Sequence, residues 1–220
     1  MKSGKPNLLV LGAGGHGRVV ADTARECGFW KEIAFLDDRY PGLNLSGEWK
    51  VLGTFQDREK FPRNLWGFLP GVGDNALRLL LIETLRKEGF YPETLRHPRS
   101  WVSSGAFLGE GTVLFAQTAV NYGAVIGKGC IVNTGATVDH DCRLEEGVHL
   151  SPGVHLAGNV FVGSCAWLGT GAVVLPEISV GSRAVVGAGA VVVKDVPPDI
   201  LVMGVPAKPS HGRNNSPYSS

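Results

Sequence analysis

Val102, Leu108, Leu114, Val120, Ile126, Val132, Val138, Leu144, Leu150, Leu156, Val162, Leu168, Val174, Val180, Val186 and Val192 stand at strict six-residue intervals, with no slip and no insertion. The residue two before each next member is small or β-branched, as in Ala106, Thr112, Thr118, Ala124, Cys130, Ala136, Cys142 and Val148, and again at Ala190 and Val196. Two-residue spacing puts both side chains on one face of a strand. Each hexad therefore predicts a short strand with two inward residues, followed by a two-residue corner. The second corner residue is glycine in most hexads: Gly105, Gly111, Gly123, Gly129, Gly135, Gly147, Gly153, Gly171 and Gly189. Glycine is the expected choice where a corner needs positive φ. The apolar spacing near 3.6 that a helix needs is absent. Six-residue periodicity predicts a parallel β-helix in which each coil buries its aliphatic ladder against the next.

These hexads resemble the hexapeptide-repeat acyltransferases, in which three hexads form one triangular, left-handed coil. The resemblance implies about five coils here, stacked roughly 4.8 Å apart.

Outward from the array, Asn7–Leu11 predicts a buried strand that runs into Gly12-Ala13-Gly14-Gly15-His16-Gly17 and an amphipathic stretch from Arg18 to Cys27. A second strand, Ile33–Leu36, ends in Asp37-Asp38. A G-x-G-x-x-G turn between strand and helix, with an acid some way on, is the nucleotide-binding βαβ pattern. Its glycines let the backbone approach phosphates at a helix N-terminus. The bland alternative is a tight turn with no ligand. Leu65–Leu69 predicts a third strand. A helix from about Ala76 to Lys87 follows, capped by Asp74 or Asn75, with Leu77, Leu80, Leu81, Thr84 and Leu85 at helical spacing. Gly89 ends it, and Phe90–Leu95 predicts a last strand. This is half of a full dinucleotide fold, so one nucleotide suits it better than NAD. The expected organisation is a small Rossmann-like α/β domain over 1–96, a left-handed β-helix over 97–198, and a C-terminal segment over 199–220. That segment carries Gly204-Val205-Pro206-Ala207-Lys208 and a polar end, Ser210–Ser220, expected to be disordered.

The 220 residues carry a net charge of +1 with no basic stripe, which speaks against nucleic acid. No apolar run is long enough to span a bilayer and Met1-Lys2-Ser3-Gly4 begins no signal peptide, so no membrane insertion and a cytoplasmic location are expected. Cys27, Cys130, Cys142 and Cys165 lack framework spacing and read as reduced structural residues.

With three hexads per coil, every third corner falls in the same column. Two columns are mostly X-Gly. The third reads Ser104-Gly105, Tyr122-Gly123, His140-Asp141, Gly158-Asn159, Pro176-Glu177 and Lys194-Asp195. Asp and Asn tolerate left-handed φ, so the turn can be kept while polar groups are added. His140 projects from this column between Asp139 and Asp141, and Gly158 one coil on leaves room beside it. An imidazole with an adjacent carboxylate is a candidate general base; the bland reading is a solvated corner histidine. His149 and His155 fall outward on two different flat faces. With His140 they do not converge within one chain, and their spacing fits no usual zinc pattern, so no metal is expected. His155 reads as a surface or interface group. Other outward positions are apolar: Val113, Val125, Ile131, Phe161, Trp167, Val173, Val185 and Val191. They predict self-association, three-fold for a triangular column, unless the N-terminal domain and tail cover them.

Taken together, Gly14-Gly15-His16-Gly17, Leu36-Asp37-Asp38, Val138-Asp139-His140-Asp141-Cys142, His149-Leu150-Ser151-Pro152-Gly153-Val154, Leu156-Ala157-Gly158-Asn159-Val160 and the Gly204–Lys208 run are similar to bacterial sugar acetyltransferases. That family includes nucleotide-4-amino-sugar N-acetyltransferases and sialic acid O-acetyltransferases, and the resemblance spans residues 7–208. It implies direct acetyl transfer from acetyl-CoA to the amine of a nucleotide-linked 4-amino-4,6-dideoxy sugar, for bacterial surface glycans, in a homotrimer with its site between subunits. Carried over, His140 is the base and Asp141 the acid that supports it, although some relatives have the longer Glu there. His149 lies near the thioester, Gly158, Thr170 and Ala188 meet acetyl-CoA, and Lys208 meets its phosphates. Gly15, His16 and Gly17 lie against the sugar nucleotide's phosphates or ribose, and Asp37, Asp38 and Gly73 line its nucleoside pocket. The rival readings are O-acetylation of a sialic acid, an NAD-binding protein, and a non-catalytic trimeric scaffold.

Overall fold

The computed structural model describes residues 4–210. The N-terminal unit is a three-stranded parallel sheet of β1 (Asn7–Leu11), β2 (Glu32–Leu36) and β5 (Trp66–Pro70), in the order β2-β1-β5. A small hairpin, β3 (Leu45–Ser46) and β4 (Trp49–Lys50), lies between β2 and β5 in sequence. Helix α1 (Gly15–Cys27) follows β1 directly and ends at Gly28, whose φ of 67° is left-handed. A Cβ on Gly17 would lie 1.9 Å from the Gly12 carbonyl oxygen, so only glycine lets α1 sit this close to the loop.

Helix α2 (Asn75–Lys87) starts at Asp74, whose carboxylate accepts from the Leu77 N–H at 2.8 Å. Its buried stripe coincides with the one the leucines predict only at Leu85. Arg78, Ile82 and Leu85 are buried, whereas Leu77 and Leu80 are 45% and 62% exposed. The helix turns its 75/78/79/82 face to the β-helix, where corner glycines leave room for it. A Cβ on Gly129 would lie 2.6 Å from Ile82 Cδ1, and one on Gly147 would lie 2.8 Å from Leu79 Cδ1. The last strand expected at Phe90–Leu95 is reduced to a single bridge, Phe68 to Pro92. Leu95–Arg96, labelled β6, joins the β-helix instead, beside Val113–Leu114.

The hexads form two-residue strands that pair in parallel with the strand three hexads on, as in Val120 with Val138, Ile126 with Leu144 and Val132 with Leu150. Three faces result. The first carries Val113, Ile131, His149, Trp167 and Val185; the second Ala119, Thr137, His155, Val173 and Val191; the third Phe107, Val125, Arg143, Phe161 and Ser179. The column makes about six turns, more than the hexad count implies, because β6 and Leu201–Met203 add rungs to the first face. The aliphatic ladders and small residues form one continuous core from Leu114 to Val202. Eight of the nine corner glycines have positive φ, Gly105 being the exception, and Asp141, Asn159 and Glu177 hold the same left-handed turn at 59°, 59° and 63°.

The α/β unit sits on the outer side of the first face. Val113 and Ile131 are 1% and 0% exposed, packed in one cluster with Val10, Leu69, Leu95 and Phe115. These two outward residues are therefore covered by their own chain and do not serve self-association. Val125 is 41% exposed, and Phe161, Trp167, Val173, Val185 and Val191 are half-buried. The four cysteines form no disulfide; Cys130 and Cys142 are buried and Cys27 and Cys165 half-buried. Among the described residues no helix is long and apolar enough to cross a membrane. The polar end expected to be disordered lies, beyond Ser210, outside the described residues.

Candidate functional site

Two groups of polar residues stand out on the finished scaffold. The first is the edge between the second and third faces. Asp141 takes the left-handed corner position, and its Oδ2 lies 2.9 Å from His140 Nδ1. The shorter side chain thus reaches the imidazole. Asp139 Oδ1 accepts from the His140 backbone N–H at 2.7 Å and from Asn121 Nδ2 at 2.6 Å, which fixes the corner. A Cβ on Gly158 would lie 2.5 Å from His140 Nε2 and 2.6 Å from Cε1, so the ring rests on a bare glycine. The bond to Asp141, helped by the Asp139 and Asp141 charges, raises the His140 pKa. With Nδ1–H directed at a carboxylate, Nε2 is the proton-accepting nitrogen of the neutral ring. Cys142, next along, points inward; its Sγ contacts the Ala157 carbonyl at 3.1 Å and burial raises its pKa, so it is no acyl carrier beside His140.

The second group lies where the α/β unit meets the first face. His149 points out from the column but is only 4% exposed, because the N-terminal unit covers it. The Gly73 backbone accepts from its ring. His16, in the first turn of α1, sits 6.2 Å from it, ring centre to ring centre, and edge-on to Phe115 at 5.6 Å. His16 Nε2 is shut off from solvent and has no hydrogen-bond partner among the described residues. Burial, and next the Arg78 charge, lowers His16 to about 4 and His149 to about 3.

A histidine that folds neutral makes stability depend on pH. Between the ordinary value of 6.5 and the lowered ones, the unfolded chain binds the proton and the folded chain does not, so stability falls as pH falls through this window. Each buried histidine contributes a slope of up to about 1.4 kcal/mol per pH unit. Asp37 and Asp57, held at about 2, lose their own contribution only below the ordinary carboxylate value of 3.8, so they add little slope in the upper part of this window. Urea unfolding at pH 6.5 and 4.5 should show the loss, and His149→Asn should flatten it. An unchanged slope in that variant would contradict the assignment.

The glycine loop divides by role. Gly17 is required by the approach to Gly12, while Gly14 and Gly15 face open space at the start of α1. Asp37 is fully engaged: Oδ2 accepts from the Ala13 N–H at 2.8 Å, and both oxygens accept from the Arg39 guanidinium at 2.7 and 2.8 Å. Arg39 holds its carboxyl at about 2. Asp38 Oδ1 accepts from the Phe55 N–H at 3.0 Å. Neither partner of these acids is evident from the sequence pattern, although Arg39 is only two residues from Asp37. Arg78, as a cation beside the site, is not evident from it either.

Thr170 and Ala188 are exposed and stacked, one coil apart, on the edge between the first and second faces. Lys208 is exposed on the short strand paired with Leu201–Met203. One chain therefore brings His140, Asp141 and Gly158 together, and separately His16, Gly73 and His149. It does not unite the two groups. In a three-sided column, the edge that carries His140 is opposite the face that carries His149.

Residues 7–85 match the family model described as PglD N-terminal domain. A curated UDP-N-acetylbacillosamine N-acetyltransferase from Bacillus subtilis (strain 168) is 38% identical over 115 residues, which cover 50% of this chain and 51% of that protein. The match thus spans about half the length of that curated relative. Among solved structures, the acetyltransferase domain of PglB from Neisseria gonorrhoeae FA1090, in complex with acetyl coenzyme A, is 42% identical. It covers 94% of this chain and 100% of its own, with a TM-score of 0.91. A perosamine N-acetyltransferase from Caulobacter crescentus, solved with CoA and GDP-perosamine as a histidine-to-asparagine mutant, is 38% identical. That match covers 93% and 96% of the two chains with a TM-score of 0.86. At this likeness the column is the left-handed β-helix of those acetyltransferases.

Proposed function

Because this chain belongs to the bacterial sugar acetyltransferases of the hexapeptide-repeat family, we propose that it moves the acetyl group of acetyl-CoA to the amine of a nucleotide-linked 4-amino-4,6-dideoxy sugar. His140 acts as general base, with Asp141 holding its Nδ1–H. The sugar amine attacks the thioester carbonyl, its proton passes to His140 Nε2, and collapse of the tetrahedral intermediate releases the CoA thiolate. The observation that carries this reading is the His140–Asp141 pair at 2.9 Å, laid on Gly158 where any side chain would displace it. A solvated corner histidine needs neither feature.

The site is shared between copies in a homotrimer. Its support is the separation of the two groups: the His140 edge of one copy must meet the His16/His149 face of another for all of them to touch one substrate pair. The open backbone at Gly14 and Gly15, at the start of the helix that carries His16 and Gly17, fits the phosphates or ribose of the sugar nucleotide. Asp38 and Gly73 line the nucleoside side, with Asp37 acting through Arg39 and the Ala13 amide. Acetyl-CoA runs along the exposed Thr170/Ala188 edge towards Lys208, with His149 near its thioester. The engagement of Asp37 and the three-stranded sheet give NAD no second half-site. The test is CoA-thiol release with acetyl-CoA and UDP-, dTDP- or GDP-linked 4-amino sugars, beside sialic acid. Turnover with a nucleotide amino sugar is the expected result. Turnover with sialic acid alone, or with none, would overturn the proposal.

A further inference from the structure

Among the described residues Arg78 is the largest side chain that is fully buried, and it is 0% exposed. It leaves α2 and uses every N–H of its guanidinium. Nε donates to the Gly129 carbonyl at 2.6 Å, Nη1 to the Val72 and Gly73 carbonyls at 3.2 and 3.0 Å, and Nη2 to Asn75 Oδ1 at 2.7 Å and the Gly147 carbonyl at 2.8 Å. These acceptors belong to two different bodies. Gly129 and Gly147 are stacked corners of the β-helix, the second of them two residues before His149. Val72 and Gly73 are the loop between β5 and α2. Asn75 adds a strut of its own, with Nδ2 donating to the Cys165 carbonyl at 2.9 Å one coil further on.

Apolar packing at this junction can slide, because Leu79 and Ile82 rest on bare glycine corners. A planar fork with five directed donors cannot slide without breaking several bonds at once. The Gly73 backbone that receives one of those donors is also the group that accepts from the His149 ring. We infer that Arg78 is a positioning residue, which sets the loop at Val72–Gly73 in register with the coil that carries His149. On the reading proposed above, on which this inference rests, that register sets where the sugar nucleotide lies relative to the acetyl donor.

The experiment compares Arg78→Lys with Ile82→Ala in the full chain. Lys keeps the charge but not the fork, whereas Ile82→Ala thins the same junction without touching a polar atom. In Arg78→Lys, the KM for the amino-sugar nucleotide should rise about tenfold, the equivalent of about 1.4 kcal/mol, with the KM for acetyl-CoA unchanged. Amide exchange at residues 72–75 should quicken by a similar factor. Ile82→Ala should lower the melting temperature and leave both KM values and the loop's exchange as in the parent. Arg78→Lys behaving like Ile82→Ala, or raising both KM values equally, would overturn the inference. If Arg78→Lys does not fold, Asn75→Ala gives the same reading, with a few-fold rise in the nucleotide KM supporting it and no split opposing it. Amide exchange needs no turnover. A parent protein that acetylates nothing would therefore count against the proposed function, while unchanged exchange at the loop would count against Arg78.

Discussion

Replacing His140 with Ala or Asn is expected to lower kcat by about 10²–10⁴, the usual contribution of a positioned general base. The fold should not register the change. The His140 side chain is 60% exposed on an outer edge, and substitutions at such positions shift stability by no more than about 0.5 kcal/mol. The pH profile separates a base from a binding group. A base works in its neutral form, so kcat/KM should fall as pH falls through the pKa that Asp141 has raised. Asp141→Asn removes the cause of that rise and should move the acid limb to lower pH while reducing kcat. Near-normal turnover in His140→Ala would refute the assignment outright. A loss confined to KM would make His140 a substrate contact instead.

Gly158→Ala is expected to cost about 10²-fold in kcat, although the substitution only adds one methyl group, one coil away from the base along the chain. Its Cβ would stand 2.5 Å from His140 Nε2, so the ring has to move by about 1 Å, and a misplacement of that size costs on that order. The backbone there is not left-handed, so the chain accepts alanine without strain, and the ring can swing into solvent instead of forcing the coil apart. Folding should be intact. Full activity in Gly158→Ala would mean that the imidazole works from another position, and the geometry at this edge would lose its meaning. Gly123, the preceding corner on the same edge, differs: its φ is 77° and a Cβ would meet Asp141 Oδ1 at 2.4 Å, so backbone strain would confuse the same experiment there.

The column is legible in the sequence because every coil repeats the same problem: an inward pair, a corner and a partner three hexads on. Sixteen repetitions leave no freedom in the pattern, and so the one imidazole on the His140 edge is visible as an exception. The junction is not legible. Within α2 the leucines suggest one buried face, and the structure keeps only Leu85 of it and buries Arg78 and Ile82 beside it, because the deciding surface is a set of glycine corners 51 and 69 residues away from Arg78. Periodicity within a helix measures how apolar a face is. It cannot reveal that carbonyls elsewhere are arranged to receive a guanidinium. The only signal in the sequence is that Arg78 stands four residues before Ile82 and seven before Leu85, on their stripe. Val113 and Ile131 read as a surface for other copies for a similar reason: outward from a coil is not outward from the molecule when another domain covers the same face. Asp37 illustrates a nearer limit, since its engagement with Arg39 depends on how the loop folds back and not on spacing.

The central claim is that catalysis needs the His140 edge of one copy against the His16/His149 face of another. Mixing inactive chains tests it. His140→Ala chains and His16→Ala chains, once each is measured to be inactive when assembled alone, are unfolded together, refolded as mixed oligomers and assayed with acetyl-CoA and the amino-sugar nucleotide. A shared site predicts that activity returns, because some seams then pair an intact His140 edge with an intact His16/His149 face. If the mixture stays as inactive as its two parents while the mixed oligomers are present, both groups must act within one chain, and the account is wrong.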